Sequence, residues 1–134
     1  MDKVLLIGEP MELLLAEEEG ALADVTKFRA SVSGAEMNVA VGLARLGLCP
    51  RYMTRLGNDP RAVRIRRFMR ENGISDDLII TDPAHLTGAM MKSKSEPGKH
   101  EIYYFRQDSA ASFLCEKDVE QLDLSGIRAV HFTG

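Results

Sequence analysis

The stretch that most constrains this chain covers residues 33–47, Ser-Gly-Ala-Glu-Met-Asn-Val-Ala-Val-Gly-Leu-Ala-Arg-Leu-Gly. It opens on Ser33-Gly34, a pair that can cap and turn, and closes on Gly47, a natural helix stop. Between them Met37, Ala40, Leu43, Ala44 and Leu46 recur at helical spacing, with Asn38, Gly42 and Arg45 on the opposite arc. The spacing predicts a buried helix with a flexible lead-in and a polar amide in its first turn. Such a start offers free backbone N–H groups and a positive dipole end. The same pattern also fits an ordinary core helix with its polar arc in water.

On either side the chain alternates strand and helix signals. Lys3–Ile7 is a continuous apolar run, as in a strand covered on both faces of a parallel sheet. Gly8-Glu9-Pro10-Met11 follows as a turn at its carboxyl end, where open α/β sheets place their ligands. Residues 12–16 form a short apolar piece, and Glu17-Glu18-Glu19-Gly20 reads as a solvated acidic turn. Residues 25–32 alternate weakly, as a half-exposed strand leading to Gly34. Residues 51–56 read as a second sheet strand. Asp59 then caps, and Pro60 starts, a helix with Ala62, Ile65, Phe68 and Met69 on one arc. Arg64, Arg66, Arg67 and Arg70 spread over the rest of that helix, a solvated face in a chain whose net charge is −3. No nucleic-acid partner is therefore expected. Asn72-Gly73 stops the helix, and residues 78–81 form a short strand.

From His85 the rhythm changes. Residues 88–94 and 101–106 are extended stretches joined by Glu96-Pro97-Gly98-Lys99, the signature of a β-hairpin. In its second arm Ile102, Tyr104 and Arg106 share one face, and Tyr103 and Phe105 the other. Tyr104 with Arg106 suits a hydroxylated, anionic small molecule, since arginine offers a planar fork to a carboxylate; an exposed polar face would look the same. Residues 109–112 form a small-residue loop, 116–122 a short helix, and 128–132 a candidate buried strand. No crossover helix follows that last strand. The sheet would then leave apolar surface bare, as in one part of a larger assembled protein.

With 134 residues, 45% hydrophobic and 28% charged, the chain is at most one ordinary globular domain. Cys49 and Cys115 form neither a metal-ligand spacing nor a disulfide framework, and His85, His100 and His131 are scattered, so no metal site is expected. No apolar run approaches the ~18 residues of a membrane span, and the start lacks signal-peptide flanks; a cytoplasmic protein with no membrane partner is expected.

Four segments together resemble the ribokinase-like (PfkB) carbohydrate kinases, most closely the 2-keto-3-deoxygluconate kinases. They are Gly8-Glu9-Pro10-Met11; the run from Gly34 to Gly47; Arg55-Leu56-Gly57-Asn58-Asp59-Pro60; and Tyr103-Tyr104-Phe105-Arg106 with Ser109-Ala110-Ala111-Ser112. The resemblance covers essentially all of the chain, as the amino-terminal part of a longer fold. It implies an α/β, ribokinase-like three-layer sandwich with a mostly parallel sheet, here truncated, and a small β-sheet lid made of residues 12–32 and 88–106. It further implies that Gly34, Asn38, Tyr104 and Arg106 contact a sugar or sugar acid. Met90 stands at a substrate-facing position where those kinases usually carry an aromatic, and Ser33 where the signature usually begins with Gly or Ala. A homo-oligomer formed through the lid is expected. The reaction implied is phosphoryl transfer from ATP, with Mg²⁺, to a sugar hydroxyl. The family's catalytic base and anion hole lie in a Gly-Ala-Gly-Asp motif that these residues do not contain. The expectation is that this chain supplies the sugar-binding half and is inactive alone. The alternatives are another sugar kinase of fructokinase or ribokinase type, or a non-catalytic sugar-binding or assembly fragment.

Overall fold

The computed structural model describes residues 2–96 and 98–133. Pro97, in the expected hairpin turn, and Gly134 lie outside the described residues. The chain forms two four-stranded sheets.

The first sheet, the body, consists of β1 (Lys3–Ile7), β4 (Cys49–Gly57), β5 (Ile79–Asp82) and β8 (Ile127–His131), all parallel, in the order β5-β4-β1-β8. The inner strand β1 is apolar from Val4 to Ile7 because it is covered on both faces: neighbouring Leu5 and Leu6 point opposite ways and are both buried. Two helices cover one face, α1 (Ala35–Arg45) and α2 (Pro60–Glu71). Their buried residues Met37, Ala40, Ala62, Ile65 and Met69 close over Leu6, Tyr52 and Leu56 to make the core. Asp59 caps α2 as expected, accepting the Ala62 N–H at 2.9 Å, with Pro60 at the first helical position.

The α1 signature behaves differently at its two ends. Its cap is Gly34 rather than Ser33, and no side chain caps it. Leu46, expected on the apolar face, is 79% exposed, because the helix ends at Arg45 and the chain turns out through Gly47. Four of the five arginines of α2 are engaged by the protein's own acids: Arg61 and Arg64 with Glu12, Arg66 and Arg70 with Asp76.

The second sheet, the lid, has β2 (Met11–Glu19), β3 (Phe28–Ser33), β6 (Ala89–Lys94) and β7 (Ile102–Phe105) in the order β3-β2-β6-β7. The hairpin β6–β7 is antiparallel, with Met90 opposite Tyr104. It joins the first lid segment through a parallel β2–β6 pairing. The acidic turn expected at residues 17–20 is instead the end of β2. Glu19 pairs with Lys94 in the ladder, and Glu18 accepts both the N–H and the hydroxyl of Thr26 at 3.0 Å. The strand expected at 25–32 begins only at Phe28 and runs to Ser33; residues 25–27, which follow a 3-10 turn (Leu22–Asp24), are irregular. The buried strand expected at 128–132 is an exposed edge: Arg128, Ala129 and Val130 are all exposed, since β8 has a neighbour on one side only. Before it lies α3 (Glu116–Glu120), shorter than expected. Among the described residues, no helix is long and apolar enough to cross a membrane.

Candidate functional site

Three hydrogen bonds to Thr87 fix where the lid leaves the body. After β4, the Gly57-Asn58-Asp59 turn meets the entry of β6. The Asp59 carboxylate accepts the Thr87 N–H at 2.7 Å, and the Gly57 N–H donates to the Thr87 hydroxyl at 2.9 Å. Arg61 donates to the Thr87 carbonyl at 3.0 Å. Burial pushes the Asp59 carboxyl up, but the backbone donors of Thr87 and Ala62 outweigh it and hold the group below its usual range. Beside this brace, Arg55 of β4 grips Asp118 of α3 with a two-nitrogen fork at 2.8 and 2.7 Å. That fork depresses the Asp118 carboxyl to about 2.

Between lid and body, at the carboxyl ends of β1 and β8, lies a cavity of about 570 Å³. Its floor is Gly8, Glu9, Gly34 and Glu36; Met90, Tyr104 and Arg106 reach it from the lid side. Four of the five residues singled out in the sequence, Gly34, Met90, Tyr104 and Arg106, therefore line one space. Asn38 does not: its side chain is exposed, and its N–H closes the first turn of α1 on the Gly34 carbonyl at 3.1 Å. The polar arc of the helix on which it sits faces outward, away from the cavity floor. Gly34 has φ of +147°, and a Cβ there would sit 3.1 Å from the Glu9 carbonyl, so the turn into α1 calls for glycine.

Sequence reasoning missed the two carboxylates of the floor. Glu36 is buried in the first turn of α1 and accepts both the N–H (2.9 Å) and the hydroxyl of Thr133, which follows β8. Burial pushes its carboxyl up, yet the Thr133 donors and its own backbone N–H prevail and leave it lowered. Glu9 accepts from Arg106 at 3.1 Å through one oxygen and from the Ser109 hydroxyl at 3.1 Å through the other. Glycines make room for both. A Cβ on Gly8 would collide with the Glu36 carboxylate, and one on Gly88 would come within 2.5 Å of Glu9. Beneath them the Tyr52 phenol, fully buried and with no hydrogen-bond partner among the described residues, is pushed far above its usual range by burial first and then by the charges of Glu36 and Glu9. Arg106 is the cation facing this pair, 5.9 Å above the Tyr104 ring.

The floor of polar acceptors, with a guanidinium and a phenol overhead, suits a small polyhydroxylated ligand. Comparison with known proteins decides the family. The model of the pfkB family carbohydrate kinases matches residues 1–134. The chain belongs to the pfkB family of carbohydrate kinases. It is 34% identical over 95% of its length to the 2-dehydro-3-deoxygluconokinase of Bacillus subtilis, of which it covers 40%. It is 29% identical over 89% of its length to a fructokinase of Salmonella typhimurium, covering 37% of it. Among solved structures, a PfkB protein from Polaromonas sp. JS666 superposes with a TM-score of 0.89 at 35% identity, over 98% of this chain and 44% of that one. The chain thus spans about two fifths of the length of these pfkB relatives. The ribokinase-like α/β architecture with a β lid follows from the same superposition.

Proposed function

We propose that the cavity is the acceptor-sugar site of a kinase that phosphorylates a 2-keto-3-deoxy sugar acid such as 2-keto-3-deoxygluconate, with ATP as donor. The observation that carries this reading is the convergence of Arg106 and Tyr104 from the lid on a floor of carboxylates and backbone groups. Sugar hydroxyls donate well to carboxylates such as Glu36, and a sugar acid's carboxylate needs a planar cation such as Arg106. Similarity to a 2-dehydro-3-deoxygluconokinase supports the acid substrate.

In this reading the chain's residues bind and orient the acceptor. Glu36 and the backbone around Gly34 fix hydroxyls, Arg106 fixes the carboxylate end, and the lid excludes water. Met90 supplies apolar cover where a tyrosine hydroxyl would add a further contact. Phosphoryl transfer depends on positioning and charge stabilisation, so this ordering is the contribution of this part of the fold. Among the described residues no group of three or more His, Cys, Asp or Glu is arranged to hold a metal ion. A cavity floor with two carboxylates repels a triphosphate. The donor site and the catalytic base are accordingly assigned to none of these residues, and we expect the 134-residue chain alone to transfer no phosphate. A cytoplasmic location and self-association through the lid belong to the same reading.

A second reading is favoured by the fructokinase similarity: a neutral ketose as acceptor, with Arg106 serving only to close the lid through Glu9. ADP release by the full-length product of the gene, measured with 2-keto-3-deoxygluconate and with fructose, separates the two. Activity on the acid alone is expected; activity on fructose alone would replace the first reading with the second.

A further inference from the structure

Arg106 does not stand free to meet a ligand. It lies on the Tyr104 ring on one side, and one of its nitrogens donates to Glu9 at 3.1 Å on another. Glu9 is well buried, with only 11% of its side chain exposed against 49% for Arg106, and its second oxygen is held by Ser109. Gly88 is shaped around it. The carboxylate is thus fixed in place by the fold, while the guanidinium reaches across to it. The contact uses a single Arg106 nitrogen, which leaves other donors of the fork for a second oxygen pair.

We propose that Glu9 is the specificity-determining residue of this site: a built-in counter-charge on Arg106 that sets how strongly the cavity prefers an acidic over a neutral sugar. The inference rests on the reading of the cavity as a sugar-acid site. With the Glu9 carboxylate 3.1 Å from its guanidinium, Arg106 already has a counter-charge, and an incoming carboxylate approaches a second carboxylate just beyond it. Attraction to the cation and repulsion from Glu9 oppose each other in a partly desolvated space, where both are stronger than in water. A neutral sugar meets neither term. Glu9 therefore weighs on acid affinity more than on neutral affinity, which is the lever by which one scaffold discriminates between the two kinds of acceptor.

The test measures dissociation constants for 2-keto-3-deoxygluconate and for fructose by calorimetry on the full-length protein, in Glu9→Gln, Glu9→Asp, Arg106→Gln and the Glu9/Arg106 double variant. Glutamine keeps the shape and an acceptor for Ser109 but removes the charge; aspartate keeps the charge. Glu9→Gln is expected to raise the acid-to-neutral affinity ratio about tenfold, Glu9→Asp to leave it within about twofold, and the gain to vanish when Arg106 is also replaced. A ratio unchanged or lowered in Glu9→Gln, or one shifted equally by Glu9→Asp, overturns the role of Glu9 while leaving the sugar-acid site intact. If Arg106→Gln leaves the ratio unchanged, the sugar-acid reading itself fails and this inference falls with it.

Discussion

The body and the lid are built from comparable strands but held by different forces. In the body, Leu6, Tyr52, Ile65 and Met69 are wholly buried, and helices close over a parallel sheet. In the lid, all four residues of the edge strand β7 are 39–56% exposed, while Met11, Ala16, Ala89 and Met90 of the inner strands are buried, and ladder hydrogen bonds and polar tethers to the body complete the sheet. Burial is non-directional and strong, so it carries most of what holds the body together. Ladder bonds and ion pairs contribute less each and depend on geometry.

The sharpest way to break this contrast is to delete side chains on either side of it. Ile65→Ala, in the centre of the body, is expected to lower unfolding free energy by about 3 kcal/mol, whereas Phe105→Ala in the lid should cost no more than about 0.5 kcal/mol. Denaturant unfolding of both variants checks this; equal losses would erase the distinction. Next comes the tether between the two parts. Asp59→Ala removes a helix cap and strands the Thr87 N–H, at an expected cost of about 2 kcal/mol. Hydrogen exchange should quicken at Thr87 and Ala89 more than at Leu6, and uniform quickening would show that Asp59 supports the body alone.

A smaller effect follows from Asp118. Its folded carboxyl is depressed to about 2 by the Arg55 fork, below the unfolded value of about 3.9. The stability it contributes is therefore fully present above about pH 4 and lost as pH falls towards 2. Discounted for solvent screening, that is about 1 kcal/mol. Asp118→Asn should flatten the acid limb of a stability–pH curve by that amount, and an unchanged limb would show the fork contributes nothing. Last, Tyr52→Phe removes an unpartnered buried hydroxyl and is expected to stabilise the body by up to about 1 kcal/mol; a loss of stability would reveal a partner for that hydroxyl.

What was legible in the sequence follows the same division. The apolar run of β1, the Asp59-Pro60 start of α2 and the β6–β7 hairpin are local signals, and the structure holds them. The extension of β2 through Glu17–Glu19 was not legible, because exposed acidic residues become a strand only through pairing with Lys94, far along the chain. Leu46 and Asn38 show the limit of a helical wheel: it orders residues around an axis but does not say where the helix ends or which arc meets a cavity. Glu9 and Glu36 were missed for a stronger reason. Their partners Arg106 and Thr133 each lie 97 residues away. The available signal was positional: Glu9 stands in the turn at the carboxyl end of β1, where open α/β sheets place their ligands.

The central claim is that the lid brings Arg106 to the carboxylate of a sugar acid held over the body's floor. The most direct measurement is the affinity of the full-length protein for 2-keto-3-deoxygluconate and for a neutral hexose before and after Arg106→Ala. Loss of a charge-assisted contact predicts acid binding weakened by about 2–3 kcal/mol, with neutral binding nearly unchanged. An equal loss for both ligands would contradict the claim.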